Sequence, residues 1–434
     1  MVIFAILNCI AMPNYAFRKI YPFVKYQKLI AVSLIIGFLA ALLAVSLKKM
    51  TDHYEEVLSG QSQGNVLFII LFPFFGLSLI YILRQYLFKK KENKGIKEVF
   101  ESTATGKGLP SYKIPSHFIN GLITVSFGGS TGIEVSTVVS SAAIGSLAQE
   151  KEKFFKRYKT ELICAGITAG ITALFCTPFA GLLFAYEVVS KKAGKIFLLT
   201  NILAAAIAYG FILLIGEKPL FALNITQWHL RAAPWFAVLG VLCGINAVYL
   251  TKCVMFFKKQ FLKIASNYYR ILAGAAAISA MIFILPQLYG DGYHAIRENL
   301  LTANTITLTL PLAIVFFGIL LLKPVITSIT LSAGGDGGVF APSIFIGAFL
   351  GLFVAVLLNT YFDAGVIPIN FMVIGMAAML SAGIHAPFTA LFLICGLVGD
   401  YTLFLPVLIV CLISKYTAKA IYPYTVYSLS TNAK

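Results

Sequence analysis

The chain has 434 residues, of which 59% are hydrophobic and 12% charged, with a mean hydropathy of +0.88. No soluble surface can be made from that composition, so a polytopic membrane protein is indicated. The formal net charge of +17 does not indicate a nucleic-acid partner, because the basic residues are gathered in a few loops, where they report topology.

In chain order, Met1 to Met12 is apolar and is followed by Arg18, Lys19, Lys25 and Lys28. A secretory signal has its charges first, so residues 1–27 read as an amphipathic cytoplasmic lead-in. Apolar runs follow at Leu29 to Leu47, Val66 to Phe88, Leu162 to Val189, Ile196 to Ile215, Trp235 to Phe257, Ile271 to Tyr289, Ile306 to Leu322, Ile344 to Leu358, Phe371 to Leu397 and Leu403 to Ile413. Several are shorter than the roughly 20 residues that cross a bilayer, or are cut by glycine and proline. Such interruptions predict discontinuous helices whose broken ends line a cavity or are buried in protein.

Lys89, Lys90, Lys91, Lys94 and Lys97, then Lys151 to Lys159, Lys191 to Lys195 and Lys258 to Lys263 mark cytoplasmic loops. Asp52, Glu55, Glu56, Asp291, Glu298 and Asp363 are expected to face outward. Seven scattered cysteines without a CxxC pair read as small buried hydrophobes. The five histidines stand mostly in or beside loops and outside any recognisable motif. GKGLP at Gly106 lacks the Lys-Ser/Thr ending of a Walker loop, and no cofactor or metal is expected.

One stretch, FGGSTGIEVS from Phe127 to Ser136, places a carboxylate, Glu134, at membrane depth. An ionisable residue there is costly and is by default a functional-site candidate. The chain also repeats itself. Gly128, Gly129 and Gly132 match Gly334, Gly335 and Gly338 at a constant offset of 206, with Glu134 falling on Phe340. CTPFAGLLF from Cys176 matches HAPFTALFL from His385 at an offset of 209, in the same order. Two inverted halves are therefore expected, at 28–217 and 218–429, before a short tail at 430–434. In each half the glycine block runs straight into a helical stretch, at Val135 and at Pro342. Each start offers free backbone N–H groups and the positive end of a helix dipole, which together suit an anion.

Three other roles compete. Glycine-mediated helix packing would explain Gly334 to Pro342, but does not require a carboxylate in one half only. Glu134 could instead pair with a distant basic side chain. GGSTG also fits a nucleophile elbow, which would make Ser130 the serine of an intramembrane hydrolase, although no histidine motif accompanies it. As a gate, Glu134 would occupy the anion site itself and leave it when protonated.

At these residues the chain resembles the CLC chloride channel and transporter family. GIEVS, Gly132 to Ser136, resembles the family's GxEGP motif, and GVFAP, Gly338 to Pro342, its GxFxP motif. Tyr427 matches its last transmembrane tyrosine. The resemblance implies an all-α homodimer of two inverted halves in a bacterial plasma membrane, each subunit moving chloride or a similar small anion through its own pathway. It implies that Glu134 is the outer gate and proton acceptor. The central anion would lie at Gly132, Ile133, Val135, Gly338, Val339, Phe340, Ala341 and the Tyr427 hydroxyl. Protons would be a second partner.

The chain also departs from the family. Ile133 replaces the usual basic residue before the glutamate, and Val135 and Ser136 replace the glycine and proline after it. The anion-binding serine motif is absent. By spacing its place is NKGIK, which puts Lys94 at the serine, either as a pore cation or as a residue of the solvated basic run. Where proton-coupled relatives carry a glutamate pair, this chain has Glu187 followed by Val188. The retained gate favours an exchanger and the lost inner glutamate a passive channel.

Overall fold

Apolar runs with their backbone groups paired internally cross lipid here as helices, and the computed structural model has helices and no named strand among the residues it describes, 14–89, 93–151 and 153–428. The segment Met1 to Pro13, Lys90, Lys91 and the tail 430–434 lie outside the described residues. The first helix, α1 (Asn14–Gly64), runs without a break through the expected boundary at Lys28. Helix α2 (Val66–Ile82) ends in a widened turn, Leu83–Leu87, and is followed by α3 (Lys97–Thr105) and α4 (Lys113–Ser126). Then come α5 (Glu134–Lys151), α6 (Lys159–Phe175), α7 (Pro178–Phe184) with a second widened turn at Ala185–Ser190, and α8 (Lys195–Leu214).

The second half contains α9 (Ala233–Leu262), α10 (Asn267–Ile284), α11 (Tyr293–Thr302) and α12 (Leu310–Ala333). It closes with α13 (Phe340–Phe362), α14 (Pro368–Ile384), α15 (Pro387–Val398) and α16 (Phe404–Ile421). Eight of the described helices are long and apolar enough to cross a membrane.

The runs 162–189 and 371–397 are each two helices rather than one. Helices α6 and α14 both have 17 residues and both stop at a left-handed residue, Cys176 and His385. A new helix then starts on Pro178 or Pro387, because proline is accepted in a first turn and not in the middle of a helix. Conversely, α4 and α5 were not visible as apolar runs. One face of α4 and nearly all of α5 are covered by other helices, so Ser116, Asn120, Ser136, Thr137 and Ser140 are buried there without meeting lipid.

The packing repeats with the sequence. A Cβ placed on Gly145 would lie 2.2 Å from the Leu162 carbonyl oxygen, and one on Gly351 2.1 Å from that of Phe371. In the same way Gly166 abuts the Ser141 carbonyl and Gly375 that of Gly347. These contacts bring α5 against α6 and α13 against α14 at a distance only glycine permits.

Candidate functional site

The two glycine blocks meet at the middle of the fold. Gly132 and Gly338, paired by the repeat, exchange both backbone hydrogen bonds (N–H to O, 3.2 and 3.1 Å) in an isolated antiparallel bridge. The loops on either side are tied reciprocally. Thr124 Oγ1 accepts from the Asp336 N–H (2.9 Å) and Thr330 Oγ1 from the Ser130 N–H (3.2 Å). Gly129 donates to the Thr124 carbonyl (2.8 Å) and Gly335 to that of Thr330 (2.9 Å). Each contact maps onto the other at the same sequence offset, so the halves are related by a pseudo-two-fold axis between these loops. The axis brings the first turns of α5 and α13 together, and the free N–H groups of both converge.

Glu134 lies in that convergence, 1% exposed. The N–H groups of its own residue and of Ala341 on the opposite helix bear on the carboxylate, although Oε2 completes no hydrogen bond among the described residues. A Cβ on Gly132 would come within 1.8 Å of Glu134 Oε2, so the carboxylate lies where any side chain at 132 would be. The other oxygen, Oε1, accepts a hydrogen bond of 2.6 Å from the Tyr293 hydroxyl. Among the described residues no basic side chain pairs with Glu134, and its hydrogen-bond partner is a phenol. Sequence reasoning missed Tyr293, which stands 159 residues away at the start of α11. The only local signal was the turn-forming GDG before it.

Around the carboxylate, Val135 fills the space beside Gly338, leaving 2.2 Å between its Cγ2 and a Cβ built there. Ile133, Val339, Phe340 and Ala341 are all buried. The Phe340 ring, in the place that Glu134 has in the other half, stacks on Tyr427 (6.3 Å) and meets Phe184 edge-on (5.6 Å). The Tyr427 hydroxyl lies 3.6 Å from the Cβ position of Gly338.

Two cavities flank the site, and Glu134 lines the smaller. Outward is a small one, about 20 Å³, lined by Lys48, Asp52, Asp291 and Tyr293 among others. Inward is a vestibule of about 910 Å³ that reaches Tyr427 and Val188 and is ringed by Arg157, Lys191 and Lys192. The basic loops therefore place positive charge at the mouth of the cavity leading to the helix starts, an arrangement that concentrates anions.

Other expected residues fall elsewhere. Glu187 lines the vestibule, but its Oε2 accepts from both the N–H (2.7 Å) and the hydroxyl (2.6 Å) of Thr389, at the first turn of α15. Lys94 is exposed and does not line the vestibule; Asn93 is the residue of that loop whose side chain turns inward, toward Ser116 and Asp336. Ser130 is buried, and its hydroxyl lies 3.3 Å from that of Thr327. Glu55 and Asp291, expected on the outer surface, are buried, with Glu55 Oε1 accepting from the Asp291 N–H (3.1 Å). Lys323 compensates them from inside α12 while also donating to the carbonyls of Leu288 and Gly290 (3.3 and 3.1 Å).

A family model described as voltage gated chloride channel matches residues 75–419. A protein of Ralstonia nicotianae described as ClcB-like is 26% identical, over 92% of this chain and 96% of its own. The voltage-gated ClC-type chloride channel ClcB of Shigella flexneri is 27% identical over 71% and 73%. Among solved structures, a CLC-type fluoride/proton antiporter is 26% identical with a TM-score of 0.77, covering 93% of this chain and 98% of that one. A slow cyanobacterial Cl−/H+ antiporter shares the fold at 20% identity and a TM-score of 0.79, over 92% and 96%.

Proposed function

The chain belongs to the voltage-gated chloride channel family, and from that premise we propose that it exchanges chloride, or a similar small anion, for protons, with Glu134 as gate and proton acceptor. It is a multi-pass membrane transport protein and not an enzyme, and its place is the bacterial inner membrane. The observation that carries the proposal is the Glu134 carboxylate lying across the N–H groups of two opposed helix starts. A carboxylate bound as an anion blocks the site while charged and vacates it when protonated, so anion passage and proton uptake share one group. The free anion would then lie between Gly132, Ile133 and Val135 on one side and Gly338, Val339, Phe340 and Ala341 on the other, with the Tyr427 hydroxyl below. Residues 28–217 and 218–429 form the two halves, and two copies associate in the bilayer, each with its own pathway.

The passive-channel alternative has one observation in its favour: Val188, at the vestibule wall, cannot carry a proton. Purified protein in liposomes decides between them. Proton movement against its gradient, driven by a chloride gradient, is the expected result; fast anion flux without it sinks the exchanger. Repeating the assay with fluoride and nitrate identifies the anion, and single-molecule photobleaching of labelled subunits in the same liposomes counts the copies.

A further inference from the structure

Val188 leaves the inner half of the protein without the proton carrier that an exchanger needs, yet another buried titratable pair stands on that side. His117, in the middle of α4, is 0% exposed, and its Nδ1 lies 3.3 Å from Asp336 Oδ1. The other oxygen of Asp336 accepts from the Asn93 amide and lies 3.7 Å from the Arg84 guanidinium. Arg84 and Asn93 line a separate cavity of about 320 Å³ with Asn267, Arg270 and Gly334, on the side of the basic loops. Asp336 is itself buried, but its partners Arg84 and Asn93 reach this cavity, which is distinct from the vestibule below Tyr427.

Unpartnered buried polar atoms continue along α4 and onto the first turn of α5. His117 Nε2, Asn120 Oδ1 and Ser136 Oγ are buried and have no hydrogen-bond partner among the described residues. Ser136 Oγ packs against Gly121, one helical turn beyond His117, and stands in the same first turn of α5 as Glu134. Buried polar atoms left in such a line are ordinarily satisfied by ordered water, which also conducts protons. The pseudo-two-fold points the same way, since at the offset of 206 His117 corresponds to Lys323, the buried base of the outer half. One half thus keeps a lysine at this position and the other a histidine, the side chain suited to carrying a proton near neutrality.

We infer that His117, held by Asp336, is the inner proton carrier of this exchanger, loaded from the Arg84–Asn93 cavity and discharging along Asn120 and Ser136 to Glu134. The inference rests on the exchanger reading. Uptake of a proton from cytoplasmic water turns the imidazole into an imidazolium paired with the Asp336 carboxylate. Release restores the neutral ring as Glu134 gains the proton. The charged groups that bear on this step are Asp336 and Arg84 directly, and Lys113 with Glu98 (2.8 Å) through Asn93.

The test uses full-length protein in liposomes, recording anion efflux and proton uptake together for His117→Gln and Asp336→Asn. Proton uptake is expected to fall about a hundredfold or more, the lower end of what a positioned proton carrier contributes, while anion efflux persists. Unchanged coupling in both variants overturns the assignment. Wild-type protein that moves anions without protons overturns the exchanger reading and this inference with it. Should both variants fail to fold, Asn267→Cys treated with a charged thiol reagent blocks the cavity instead. Lost proton uptake with retained efflux then supports the route. Equal loss of both makes the cavity an anion entrance and overturns it, as does no effect on either.

Discussion

At the scale of single residues the site depends on one substitution between the halves. The same backbone geometry surrounds Glu134 and Phe340, but only the first carries charge, so only α5 can supply its own blocking anion. Replacing that charge separates gating from transport. Glu134→Gln should abolish proton uptake while anion efflux continues, and flux with simultaneous pH recording reads both. In the proposed closed state Tyr293 holds the Glu134 carboxylate through its hydrogen bond, and such a bond to a charged group is worth about 1.5–3 kcal/mol. Tyr293→Phe should therefore leave the fold intact and raise anion turnover about tenfold or more, by releasing the gate more often. Unchanged turnover would show that the backbone amides alone set the closed state.

Helices and their crossings explain why such a polar centre is stable in lipid. Helices α5 and α6, like α13 and α14, cross on paired glycines whose hydrogens face backbone carbonyls, so the halves are held by close backbone approach. Overpacking a site of this kind costs about 1–3 kcal/mol. Gly166→Ala and Gly375→Ala should each lower the thermal midpoint in detergent, and by similar amounts, because each would place a Cβ about 2 Å from a carbonyl oxygen. A large loss in one and none in the other would contradict equivalent packing. The widened turn at Ala185–Ser190 is also an element-level device. It sets Glu187 under the first turn of α15, where Thr389 holds the carboxylate, and leaves Val188 at the vestibule wall.

Across the whole molecule, inversion places one half's glycine loop against the other's while the surrounding charges differ by side. The inner face gathers Arg157, Lys191 and Lys192 at its vestibule, and the outer side has Lys48, Asp52 and Asp291 around a far smaller cavity. Cysteines introduced at the exposed positions Lys191 and Asp363 should react with an impermeant thiol reagent from opposite sides of the membrane, Asp363 from outside. Labelling of both from one side would overturn the orientation.

The sequence alone determined the membrane class, the repeat and its register and the gating candidate, and loop charge set the expected sidedness, since hydropathy, glycine spacing and loop charge are written locally along the chain. Gly132 does pair with Gly338, as the offset required. Only the tertiary structure decided what surrounds Glu134. Tyr293, His117 with Asp336, and Lys323 with Glu55 and Asp291 are joined across large sequence separations. Asp336 stands in a glycine block and Lys323 directly after an apolar run, but nothing local in the sequence names their partners. The physical reason is that a buried polar group's energy depends on which distant atoms satisfy it, and that is fixed only when the helices pack.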